Sequence, residues 1–113
     1  MTVFRIEKLD RSHAVDAFEC SEPALNRFLT RFALASQQSN AAATYVGLAD
    51  DRVIGFHSLV VGEAQYDGAP ERLTKGMARH PVPLMLLARL AVDQGWQGRG
   101  IGAGLLKDAM LRT

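Results

Sequence analysis

The period of the apolar positions changes along the chain. Leu25, Phe28, Leu29 and Phe32 recur at helical spacing, and Ser36 continues the row. Asn26, Arg27, Thr30, Arg31 and Gln37 fall on the other side. Ser21-Glu22-Pro23 supplies a start signal. Serine caps free N–H groups, glutamate suits the positive dipole end, and proline is tolerated in a first turn. The spacing predicts an amphipathic helix to about Gln38. Upstream, Val3 to Leu9 mixes β-branched and aromatic residues in partial alternation and predicts a first strand. Asp10 and Ser12 then offer capping oxygens for a short turn or helix.

Beyond the helix the period shortens. Ala43 to Ala49 and Val53 to Gly62 read as strands, and Asp50-Asp51-Arg52 between them is a polar turn, so an antiparallel hairpin is expected. Glu63 to His80 has no clean period. Pro81 to Val92 holds a nearly continuous apolar run, which predicts a central strand covered on both faces. Arg89 interrupts that run and needs an edge or a carboxylate. Gly100 to Arg112 closes the pattern as a helix with Ile101, Leu105, Ala109 and Met110 on one side. No repeat, low-complexity tract or linker divides the chain.

Composition narrows the class. The 113 residues suit one domain, and 48% hydrophobic with 22% charged residues is a globular balance. A net charge of +1 gives no global field for nucleic acid, so such binding would need a local patch. The single cysteine, Cys20, reads as a small buried residue in a reducing compartment. No apolar run reaches the roughly 18 residues of a membrane span. Met1 to Asp10 lacks a signal-peptide core. A cytoplasmic location without membrane contact is expected. His13, His57 and His80 are scattered, and no metal site is expected; His57, on a strand, reads as a packing residue.

Chemistry concentrates in Asp93-Gln94-Gly95-Trp96-Gln97-Gly98-Arg99-Gly100-Ile101-Gly102. The context is strand, glycine-rich turn, helix. Glycines let the backbone approach a ligand and turn its N–H groups outward, and the helix start adds free donors and a positive dipole end. A phosphate or pyrophosphate is the natural guest. The alternative is a glycine-rich connection with no ligand. The spacing is not that of a dinucleotide fold, because Ala103 stands where a third glycine belongs. Nor does a Gly-Lys-Ser/Thr follow, as a Walker loop requires.

Gln97-Gly98-Arg99-Gly100-Ile101-Gly102 resembles the acetyl-CoA signature of GNAT N-acetyltransferases, Gln/Arg-x-x-Gly-x-Gly/Ala. It follows Leu-Ala-Val-Asp at the end of the long strand and opens the next helix, as in that family. Phe18 to Leu29, Thr44-Tyr45-Val46 and Pro81-Val82-Pro83 further resemble the GNAT toxins of bacterial toxin–antitoxin pairs. The resemblance spans essentially the whole chain.

It implies an α/β GNAT (acyl-CoA N-acyltransferase) fold, present as its N-terminal portion: a mixed sheet of about four strands flanked by helices, in a single incomplete domain over 1–113. Leu90, Ala91 and Val92 are expected to offer backbone groups to the pantetheine arm. Gln97, Gly98, Arg99, Gly100, Ile101 and Gly102 are expected to hold the pyrophosphate, with Arg99 adding charge or lying solvated. In the toxin branch the enzyme acetylates the α-amino group of aminoacyl-tRNA. Arg72, Lys75 and Arg79 would then grip nucleic acid, a solvated loop being the alternative. That branch uses a tyrosine acid in its C-terminal half, so it is carried onto neither Tyr45 nor Tyr66. A ribbon-helix-helix antitoxin and a homo-oligomer, such as a dimer built on an exposed sheet edge, are the expected partners. The same residues leave open a non-catalytic CoA-binding module, an antitoxin-binding or self-associating module, and a small-molecule amine acetyltransferase.

Overall fold

The computed structural model describes residues 4–64 and 82–112. Its strands are β1 (Arg5–Lys8), β2 (Ala43–Ala49), β3 (Arg52–Ala64) and β4 (Val82–Val92), in one sheet of order β1-β2-β3-β4. Every pairing among them is antiparallel. The expectation of a mixed sheet is therefore corrected. Chain neighbours lie side by side, whereas a parallel pair needs a crossover between strands.

β2 and β3 form the predicted hairpin. Asp50 and Asp51 have φ of 49° and 68°, the left-handed pair of a two-residue turn whose twist matches its strands. β4 is corrected from a central to an edge position in this sheet. Met85, Leu86 and Leu87 are 42%, 51% and 40% exposed. Its far end is covered as expected: Ala91 is buried, and Leu90 and Val92 pack against the core on the opposite face.

The helix predicted to Gln38 has three parts: α1 (Pro23–Arg27), a π-helical turn (Phe28–Phe32) and α2 (Ala33–Gln38). Ala33 N–H reaches Phe28 O, five residues back. The Thr30 hydroxyl donates to Asn26 O at 3.0 Å, loosening the regular ladder. A π turn inserts one residue and rotates the rest of the helix by about 100°. Phe28 and Leu29 are buried as predicted, but Ala33 replaces Phe32 inside, and Phe32 is 53% exposed. The same rotation brings in Gln37, expected outside. Its Nε2 donates to Leu9 O at 2.5 Å and its Oε1 accepts from Thr44 N at 3.0 Å. Ser21 does not cap the helix; Glu22 holds that place without a side-chain bond.

The α1–α2 side covers a core of Leu9, Phe18, Phe28, Leu29, Ala33, Val46 and Phe56. Arg89 takes an aromatic partner here, its guanidinium carbon lying 3.8 Å from the Phe28 ring centroid. On the other face, α3 (Ile101–Arg112) packs Ile101 and Leu105 onto Ile54. Ala109 is buried with them, but Met110 is exposed, because the buried row runs straight along every fourth residue. Among the described residues, no helix is long and apolar enough to cross a membrane.

His57, fully buried on β3, anchors α3. Its Nε2 lies 2.7 Å from Asp108 Oδ2, which also accepts from Arg112 Nε at 2.7 Å. Arg112 covers Tyr45, and Tyr45 stacks on His57 with centroids 5.2 Å apart. Burial opposes the charge on Asp108, but hydrogen bonds from Arg112 and His57 outweigh it and hold its pKa below the usual value. A depressed carboxylate adds stability above its unfolded pKa and loses it as pH falls through the folded one. The urea midpoint of the wild type should therefore exceed that of Asp108→Asn at pH 6. The gap should close as pH falls below about 4; a gap that persists at pH 2 would rule out this ion pair as its source.

Candidate functional site

β4 ends at Val92 and the chain turns at once. Asp93 N–H donates to Ile54 O at 2.8 Å, so Asp93 still faces β3. Backbone groups alternate sides along an antiparallel strand. Ala91 therefore turns its own toward β3, while Leu90 and Val92 present theirs at the edge. Val92 O is taken by the Gln97 side chain, whose Nε2 lies at 3.0 Å.

A 3-10 turn, Gln94–Trp96, comes next. The buried Asp93 carboxylate caps it, with Oδ1 accepting from Gly95 N at 3.0 Å. Its Oδ2 accepts from Glu19 N at 3.1 Å, and Gln94 N returns a bond to Glu19 O at 2.7 Å. The segment before α1 is thereby tied to the segment before the glycines. Ser21 has φ of 75°, its hydroxyl bonds Gln94 Oε1 at 3.0 Å, and its N–H bonds Glu19 Oε1 at 2.7 Å. Cys20 N donates to Asn26 Oδ1 at 2.9 Å, and the Cys20 side chain is buried as expected.

The loop proper is Gln97 to Gly100, exposed throughout. Gly98 and Gly100 have φ of 78° and 81°, and a Cβ built on either meets nothing within 4 Å. Glycine is thus required there by conformation, and the space beside it is open. Among the described residues, the N–H groups of Gly98, Arg99 and Gly100 take part in no turn or cap hydrogen bond. The first N–H groups of α3, from Ile101 and Gly102, are unpaired by helix geometry. Five consecutive donors thus stand at a positive helix end with room in front of them, an arrangement suited to a multiply charged phosphate group. Arg99 extends over Trp96, 5.0 Å from the ring centroid, leaving its cation beside the loop.

Sequence reasoning placed these glycines and included Asp93 in their segment, but it gave no role to the Asp93 carboxylate or to its tie with Glu19–Ser21. An aspartate two residues before a glycine is a local turn signal. A contact between positions 19 and 93 has none. Arg72, Lys75 and Arg79 lie outside the described residues, as does Tyr66. Tyr45 is engaged with His57 and Arg112, away from the loop.

Comparison with known proteins shows the family. The acetyltransferase (GNAT) family profile matches residues 6–111. The chain is 42% identical over 98 residues to the tRNA-acetylating toxin of Mycobacterium tuberculosis (strain ATCC 25618 / H37Rv), covering 87% of this chain and 58% of that protein. It is 30% identical over 111 residues to the probable toxin TacT of Sinorhizobium fredii (strain NBRC 101917 / NGR234), covering 95% of this chain and 61% of that one. The chain therefore spans about three fifths of the length of the curated relatives it matches. A solved structure of AtaTR bound with AcCoA superposes with a TM-score of 0.81 at 28% identity, over 96% of this chain and 67% of that one. The chain belongs to the acetyltransferase (GNAT) family.

Proposed function

We propose that this chain carries the acetyl-CoA site of an N-acetyltransferase that acts, in the cytoplasm, on the α-amino group of aminoacyl-tRNA. The observation that carries the cofactor reading is the loop itself: unpaired backbone donors at the start of α3, with open space beside Gly98 and Gly100. The residues fit a diphosphate. The N–H groups from Gly98 through Gly102 hold it without any cationic side chain, Gln97 orients the loop through its side chain, and Arg99 adds charge at the rim. Leu90, and Val92 through its N–H, offer backbone groups along the strand edge to a pantetheine arm, with Ala91 fixing the strand against β3.

Bound there, acetyl-CoA supplies a thioester whose carbonyl carbon an attacking amine joins as the carbon–sulfur bond breaks. The chain contributes by positioning: the loop fixes one end of the ligand and the β4 edge aligns the other. No described side chain is assigned as the acid that protonates the leaving thiolate. The name of the mycobacterial relative supports tRNA as the acceptor's carrier. Arg72, Lys75 and Arg79 are proposed to contact its phosphates. A ribbon-helix-helix antitoxin is the proposed protein partner. The exposed Met85, Leu86 and Leu87 of β4 favour pairing with a second copy.

Two measurements test this. Calorimetry should register binding of acetyl-CoA to the wild type. Radiolabelled acetyl groups should then pass to an aminoacyl-tRNA pool and not to deacylated tRNA. Transfer to small amines alone would overturn the tRNA assignment, and the absence of acetyl-CoA binding would overturn the site.

A further inference from the structure

We propose that Asp93, acting through the Glu19–Ser21 segment it holds, is a positioning residue that sets where the glycine loop presents its donors. This rests on the reading of that loop as the cofactor's diphosphate site.

Past Gln97, whose amide holds Val92 O, no N–H of the loop makes a turn or cap hydrogen bond among the described residues before Ile101. Its glycines adopt conformations that other residues avoid, and its N–H groups are unpaired within the described chain. Its position is therefore set by its two ends. One end is α3, fixed by Ile101 and Leu105 in the core. The other is the turn Gln94–Trp96, where Trp96 packs partly buried against that same core and hydrogen bonds hold the rest. Asp93 is the centre of those bonds. Only 3% exposed, it gives one carboxylate oxygen to Gly95 N and the other to Glu19 N. Gln94 N closes the tie on Glu19 O, the Ser21 hydroxyl reaches Gln94 Oε1, and the Gln97 amide lies 3.5 Å from Cys20 O.

Ser21 adds an independent sign. It occupies the left-handed region, where a serine is strained, and the bonds to Glu19 and Gln94 hold it there. A strained residue bonded to the turn beneath a ligand loop marks a segment held in place for that loop's sake.

The charge on Asp93 separates this role from an electrostatic one. A carboxylate near a diphosphate repels it, so a purely electrostatic view expects the neutral Asp93→Asn to bind CoA more tightly. Positioning expects the reverse. Asparagine keeps one oxygen but turns an NH2 toward either Gly95 N–H or Glu19 N–H, leaving that donor unmatched and the turn free to shift.

The test is calorimetry with CoA on the wild type, Asp93→Asn and Ser21→Ala, each checked for folding by its thermal transition. We expect Asp93→Asn to bind CoA about tenfold more weakly and Ser21→Ala about threefold more weakly, the scale of a lost buried bond and of a lost exposed one. In acetyl transfer, KM for acetyl-CoA should rise by similar factors, with kcat within about twofold, because the hold on the cofactor end is lost equally in the ground and transition states. A role in folding alone would lower the transition temperature and leave the Kd of the folded fraction unchanged, which overturns the proposal. Tighter CoA binding by Asp93→Asn overturns it too. Should Asp93→Asn not fold, Ser21→Ala decides, since Ser21 is exposed. Wild-type protein that binds no CoA refutes the site and this proposal together, whereas wild-type binding with unaltered variants refutes the proposal alone.

Discussion

Gly100→Asp is expected to lower the affinity for acetyl-CoA at least 100-fold, or about 2.7 kcal/mol, while the chain stays folded. Two effects act in the same direction. With φ at 81°, any side chain at this position is strained, by roughly 1–2 kcal/mol, and the loop is pushed toward another shape. The new carboxylate would also stand among the donors meant for a diphosphate. At about 4 Å and an effective dielectric of about 20, one such repulsion is roughly 4 kcal/mol. Solvent at the exposed rim screens part of it. Folding should lose no more than that strain, because nothing lies within 4 Å of the added Cβ. Calorimetry beside a thermal melt measures both. Gly100→Ala, which carries the strain without the charge, should fall between. An aspartate variant that binds acetyl-CoA as well as the wild type would show that the phosphates lie elsewhere.

Phe56→Ala should be the most destabilising of these changes, by about 3–5 kcal/mol. Phe56 is fully buried on β3. Its ring meets Phe18 edge-on at 5.6 Å and stacks near Phe28 at 6.1 Å. Phe28 in turn lies under the Arg89 guanidinium. Truncation would leave a cavity joining three elements: the segment before α1, the π turn and the sheet. Domains of this size have about 5–15 kcal/mol in hand, so the variant should sit near the edge of folding. Urea denaturation reads the loss. Phe56→Leu, which keeps most of the volume, should cost only about 1–1.5 kcal/mol. If the alanine variant lost less than about 1 kcal/mol, the aromatic cluster would not be the centre of this core.

The features legible in the sequence were local. The hairpin follows from Asp50-Asp51, and the glycine loop from its position between an apolar run and a helix start. The extent of the helix beginning at Pro23 was legible for the same reason. Its phase was not, because no glycine or proline between Ala24 and Gln38 marks the π turn. Phe32 and Gln37 therefore exchanged their expected sides. The apolar run before Val92 could not reveal its place in the sheet, since the same residues suit a central or an edge strand until neighbours are known. At the site, the donors were legible and their support was not. Asp93 meets Glu19 across 74 positions, and no spacing rule reaches that far.

The π turn leaves this helix with one residue to spare. Phe28 is fixed at one end by the aromatic cluster, and Gln37 is fixed at the other by its two backbone bonds. The extra residue between them bulges and alters neither attachment. A homologue lacking Thr30 or Arg31 would run as a plain α-helix and still aim the same alanine and glutamine inward. Losing a residue from Leu34 to Ser36 instead would swing the glutamine a third of a turn off target. Insertions and deletions among relatives should therefore gather at the bulge and avoid the helical turn beyond it.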